Sequence, residues 1–122
     1  MESMIKIIKE LDEFNFHQIL SESKDVVLVF FTGPHCGSCH HLRDLFLAES
    51  IKFTRYFSEF SVFEIKADKA TALVNEFNVF HLPTIFLYFD GQFHCELQAQ
   101  AHPQKIIKAI ETALLKPAEE EP

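Results

Sequence analysis

Val26-Val27-Leu28-Val29-Phe30-Phe31 is an unbroken apolar run, and it narrows the possible folds of this chain more than any other feature. A strand with one wet face alternates apolar and polar residues. One that is apolar at every position must be covered on both faces, as happens to an inner strand of a partly parallel sheet flanked by helices. The run stops at Thr32-Gly33-Pro34-His35, which reads as a turn. A helical spacing then carries Leu42, Leu45, Phe46, Phe53, Tyr56 and Phe57.

The rest of the chain repeats that logic. Residues 60–67, with Val62, Phe63 and Ile65, predict a second strand, and residues 71–77 a short helix through Leu73, Val74 and Phe77. Together they make a parallel βαβ unit. Thr84 to Phe89 and Gln92 to Gln98 flank Asp90-Gly91, a pair that tolerates the positive φ angles of a tight hairpin. His102-Pro103 opens a last helix with Ile106, Ile107, Ile110, Ala113 and Leu114 on one stripe. Upstream, Asp12 reads as the N-cap of a helix that runs to about Glu22. The segment from Met4 to Leu11 fits either a helical stripe or a short edge strand. The expected class is α/β: a sandwich of helix, mixed four- or five-stranded sheet and helix.

With 122 residues the chain is too short to divide its core, so residues 1–116 are expected to form one domain. Residues 117–122, with Glu119, Glu120 and Glu121 between prolines, read as a flexible acidic tail. Fourteen Phe against two Tyr and no Trp predict an aromatic core with few polar handles to satisfy. A net charge of −7 argues against nucleic acid as a partner, because phosphate binding relies on clustered Lys and Arg. No stretch approaches the roughly 18 apolar residues of a membrane span. The charged start, Met1-Glu2-Ser3-Met4-Ile5-Lys6, does not read as a signal peptide, so a cytoplasmic location is expected. Thiols stay reduced there, and the three cysteines are then more readily reactive than structural.

Cys36-Gly37-Ser38-Cys39 begins where the buried strand ends and the helix starts. A sulfur at a helix N-terminus faces unpaired N–H groups and a partial positive charge, which favours thiolate over thiol. Cys39 is close enough to pair with it and better shielded. The expected roles are attack by Cys36 and resolution by Cys39.

These residues resemble the thioredoxin-fold family. The resemblance rests on the buried strand before Cys36-Gly37-Ser38-Cys39, on Leu82-Pro83-Thr84 opening a strand, and on Asp90-Gly91 closing it. It spans about Ile7 to Leu114. It implies a cis Leu82–Pro83 bond lying against the cysteine pair, a proline that blocks metal capture there, and strand-like pairing of a substrate segment beside Leu82 and Pro83. His35, Gly37 and Ser38 complete the expected substrate-binding surface. It further implies a thiol–disulfide oxidoreductase acting on protein disulfides, with no cofactor of its own. Electrons would come from a separate reductase, since three glycines leave no dinucleotide-binding loop.

The chain departs from the family pattern at several positions, among them Ser38, which stands where thioredoxins usually carry a proline between the cysteines. His35 and His40 flank the motif where thioredoxins usually carry Trp and Lys. Protonated, either imidazole would further favour a Cys36 thiolate. Phe30 stands where the family has a buried Asp, and Glu64 on the neighbouring strand is the nearest candidate for its proton-shuttle role. His41 and His81 also lie near the motif. Three rival readings of the cysteines remain at this stage: C-x-x-C-H haem attachment, a metal held by the thiolates with His40 or His81, and a non-catalytic peptide-binding module. Cys95, in phase with Phe93 and Leu97, reads as a small core residue.

Overall fold

A computed structural model describes residues 8–122. The chain runs β1 (Lys9–Glu10), α1 (Phe16–Glu22), β2 (Val26–Thr32), α2 (Gly37–Ala48), α3 (Ser50–Tyr56), β3 (Phe60–Lys66), α4 (Thr71–Glu76), β4 (Thr84–Phe89), β5 (Gln92–Leu97) and α5 (Pro103–Leu114). The strands form one sheet in the order β1-β3-β2-β4-β5. β2 pairs parallel with β3 and antiparallel with β4, so it sits at the centre with every residue buried. This is the mixed five-stranded thioredoxin fold with helices on both sides.

Alternation along β2 divides the core. Val26, Leu28 and Phe30 join a cluster with Leu42 and Phe46 of α2, Phe53 of α3 and Ile106, Ile107 and Ile110 of α5. Val27, Val29 and Phe31 face the opposite cluster, with Phe16 and Leu20 of α1 and Leu73 of α4. Successive strand residues point to opposite faces, so one continuous apolar strand feeds two cores. Many of the phenylalanines meet one another here: Phe16, Phe77, Phe86 and Phe93 pack edge-on or tilted, while Phe53 stacks on Phe60 at 5.0 Å.

The structure decides between the two readings of the first segment and moves several other element boundaries. Of the segment from Met4 to Leu11, the described part makes a short edge strand that pairs with β3 in register Lys9 to Phe63; residues 4–7 lie outside the described residues. Asp12 does not cap α1. Its Oδ1 accepts from the backbone N–H groups of Phe14 (2.9 Å) and Asn15 (3.1 Å), which builds a turn ahead of the helix start at Phe16. The expected single helix after the motif breaks at Glu49. The apolar stripe of Leu42, Leu45 and Phe46 would next have buried Glu49. The break instead leaves Glu49 paired with Lys52 at 3.1 Å and reseats Phe53 in the core. β5 ends at Leu97, one residue short of the expected Gln98. The Asp90-Gly91 hairpin forms as read, with φ of 50° and 83°. At the C-terminal end, Glu119 N–H donates to the His94 carbonyl (2.7 Å), which lays the chain along β5.

Candidate active site

The central strand delivers its loop to the top of α2. Cys36 is the N-cap of that helix, in extended conformation, and its sulfur accepts the Cys39 N–H at 3.2 Å. The cap is thus a sulfur where Ser, Thr, Asp or Asn is usual, and the first-turn N–H groups and helix dipole act on it directly. Ser38 Oγ lies 3.5 Å from Cys36 Sγ. Cys36 and Cys39 are joined by a disulfide, with Cα atoms 5.2 Å apart. The two sulfurs differ in access: Cys39 is fully buried, whereas Cys36 is only half-buried.

The Leu82–Pro83 peptide bond is cis, as the family resemblance implies. Its loop meets the loop after β2, since a Cβ built on Gly33 would lie 2.9 Å from Leu82 Cδ1. A groove of about 320 Å³ joins Ser38, His41 and Leu42 on the α2 side to His81, Pro83 and Glu96 on the sheet side. Thr84 Oγ1 donates to the His81 carbonyl at 2.6 Å, and His81 Nε2 stands 3.6 Å from Glu96 Oε2. Of the residues singled out in the sequence, Ser38, His41, His81 and Pro83 therefore share one groove. Leu82 is partly exposed, as are Gly37 and His35 beside Cys36.

Glu64 has a different setting. Its Oε1 accepts from Arg43 Nε at 2.9 Å, and its Oε2 accepts from Arg43 Nη2 and from Thr32 Oγ1, the latter at 2.5 Å. Burial pushes the carboxyl pKa up, but the hydrogen bonds from Arg43 and Thr32 and the charges of Arg43 and Lys66 outweigh it, leaving the pKa below the ordinary value. The Glu64 bond and charge likewise raise Arg43, against its own desolvation. A second cavity, about 540 Å³, has Glu64, Arg43, Thr32 and His40 on its wall.

Sequence reasoning had passed over Arg43 and Thr32. A signal for Arg43 was present, a cation one helical turn beyond Cys39, but its partner lies 21 residues away on another strand. Cys95 is buried, and desolvation raises its thiol pKa, followed by the nearby Glu119 and Glu96. Among the described residues, no group of three or more His, Cys, Asp or Glu side chains is arranged to hold a metal ion.

The sequence pattern of the thioredoxin family matches residues 7–112. The chain belongs to the thioredoxin family. Thioredoxin domain-containing protein 2 of Rattus norvegicus is 32% identical over 88 residues, which cover 71% of this chain and 15% of that protein. The thioredoxin of Coprinus comatus is 28% identical over 111 residues, 91% of this chain and 99% of its own. This thioredoxin-family chain thus spans only a small part of the rat protein and nearly all of the fungal one. Among solved structures, thioredoxin from Trypanosoma brucei brucei superposes with a TM-score of 0.72 at 18% identity, covering 95% of this chain and 98% of that one. Human ERp44 superposes with a TM-score of 0.75 at 22% identity, over 90% of this chain and 30% of that chain. A CxxC pair at disulfide distance in this family supports thiol–disulfide oxidoreductase chemistry.

Proposed function

We propose that this protein reduces protein disulfides through the Cys36–Cys39 pair, in a cytoplasmic or comparably reducing setting. The Cys36 thiolate attacks one sulfur of the substrate disulfide, forming a mixed disulfide and releasing the other substrate sulfur as a thiolate that takes a proton. The Cys39 thiolate then attacks Cys36 Sγ. That step closes the Cys36–Cys39 disulfide and releases the second substrate thiolate, so two electrons pass from the pair to the substrate. A separate reductase returns two electrons and two protons.

The observation that carries this reading is the asymmetry of the two sulfurs. The reachable sulfur caps a helix and accepts an N–H bond, while the buried one sits within bonding distance behind it. The substrate segment pairs with backbone beside Leu82 and Pro83, opposite Gly37 and Ser38, and His35 favours the Cys36 thiolate when protonated. The non-catalytic module remains the alternative to be tested. Insulin disulfide reduction driven by dithiothreitol separates the two: the wild type accelerates it and Cys36→Ser does not. Equal and negligible acceleration by both proteins would leave only the module.

A further inference from the structure

If the two sulfurs carry the proposed exchange, the groups that hold the helix bearing Cys39 against the sheet bear on it as well. On β2, Phe30 and Thr32 continue the face of Val26 and Leu28 that packs against α2. On β3, Glu64 continues the face of Val62 and lies in register with Phe30. Strand alternation therefore brings Thr32 and Glu64 to the α2 side of the sheet. Arg43 follows Cys39 by one helical turn, so the two share a side of α2.

The resulting contacts close completely. Arg43 meets both carboxylate oxygens of Glu64 with its fork, and Thr32 adds a third donor. Glu64 is 5% exposed and Thr32 1%. Three secondary elements are joined at this point: the strand that delivers Cys36, the helix that carries Cys39, and the neighbouring strand. We propose that Arg43 and Glu64 are positioning residues, an ion-paired clamp that docks α2, and with it Cys39 one turn away, on the sheet, and that the Glu64 carboxylate is permanently paired and not a proton relay.

The chemistry of the site favours this reading. A relay carboxyl must alternate between protonated and ionised forms, but a carboxylate that accepts two guanidinium bonds and a hydroxyl bond is held in the ionised form. The surrounding charges do not reverse this. His40 of α2, Lys66 of β3, and Asp68 and Lys69 of the following loop line the same cavity, with Lys66 also 3.9 Å from Glu10 of β1. Asp44 lies next to Arg43 and acts to keep it charged. Removing the guanidinium alone would leave a buried carboxylate with only the Thr32 hydroxyl bond and the Lys66 charge to offset desolvation, so its pKa rises. The clamp therefore also prevents Glu64 from titrating in the working pH range.

The test is the reduction potential of the full chain, equilibrated with reduced and oxidised glutathione from about pH 5 to about pH 9, for wild type, Glu64→Gln, Arg43→Met and the double variant. Wild type and Glu64→Gln should trace curves of the same shape. Arg43→Met should add a bend, where Glu64 now titrates in response to the redox state, and the double variant should lose it. A merely structural role would lower stability without moving these shapes. Two results overturn the proposal: a bend in wild type that Glu64→Gln removes, which would make Glu64 the relay, or an Arg43→Met curve parallel to wild type. If Arg43→Met does not fold, the comparison of wild type with Glu64→Gln still decides. Failure of the underlying redox reading looks different, since the wild type would then show no exchange with glutathione at all.

Discussion

Replacing Thr32 with Val should be more costly than its small change in shape suggests. Valine keeps the branched outline of threonine, so no cavity opens, and it suits the centre of a sheet at least as well. What is lost is one hydroxyl bond to the Glu64 carboxylate, at 2.5 Å, between side chains that are 1% and 5% exposed. A hydrogen bond to a charged group contributes about 1.5–3 kcal/mol, and valine's strand preference returns a few tenths of a kcal/mol, so the net loss should be about 1.5–2.5 kcal/mol. For a chain of 122 residues each kcal/mol corresponds to about 4 °C in Tm, which predicts a fall of about 6–10 °C near neutral pH. The loss should also depend on pH with a definite sign. The folded pKa of Glu64 lies below its ordinary value, so its contribution is fully present above the unfolded pKa and disappears as pH falls through the folded one. Urea unfolding of both proteins at about pH 7 and about pH 3 reads this directly, with the difference shrinking in acid. A difference under about 0.5 kcal/mol at neutral pH, or one that grows on acidification, would refute the reasoning.

Other predictions concern the backbone and the second core. Gly91→Ala should destabilise by about 1–3 kcal/mol in urea unfolding, because Gly91 has a φ of 83° and an added Cβ would lie 2.8 Å from the Ser21 carbonyl oxygen. Gly33→Ala should change stability by less than about 0.5 kcal/mol, since the 2.9 Å neighbour is the mobile end of the 37% exposed Leu82; KM for a protein disulfide should change instead. Tyr88→Phe should stabilise the fold by about 1 kcal/mol, because the Tyr88 hydroxyl is buried with no hydrogen-bond partner among the described residues. A destabilised Tyr88→Phe would show that the hydroxyl is satisfied in solution.

The parts of this fold that could be read in the sequence are those fixed by local chemistry. The Val26–Phe31 run announced a strand covered on both faces, the Asp90-Gly91 pair announced its hairpin, and Cys36 could be placed at a helix start from the turn before it. The cis Leu82–Pro83 bond followed only from resemblance, as Pro before a strand is trans in most settings. Periodicity failed at Glu49, where an apolar stripe extrapolated through a charged residue and the helix broke to leave it half-buried beside Lys52. It also gave no access to the Arg43–Glu64–Thr32 cluster. That cluster exists because α2 docks over a parallel β2–β3 register, and register between distant strands is written in tertiary packing, not in spacing along the chain. The sequence offers Glu64 as a proton shuttle; its bonds to Arg43 and Thr32, which bear on that role, required the structure.

The most direct measurement traps the substrate on its sulfur. Cys39→Ser, incubated with a protein disulfide and mapped by mass spectrometry after proteolysis, should accumulate a mixed disulfide at Cys36 that dithiothreitol releases. A wild type that turns over the same substrate while Cys39→Ser carries its adduct at Cys95, or forms none, would contradict the assignment of Cys36 as the attacking sulfur.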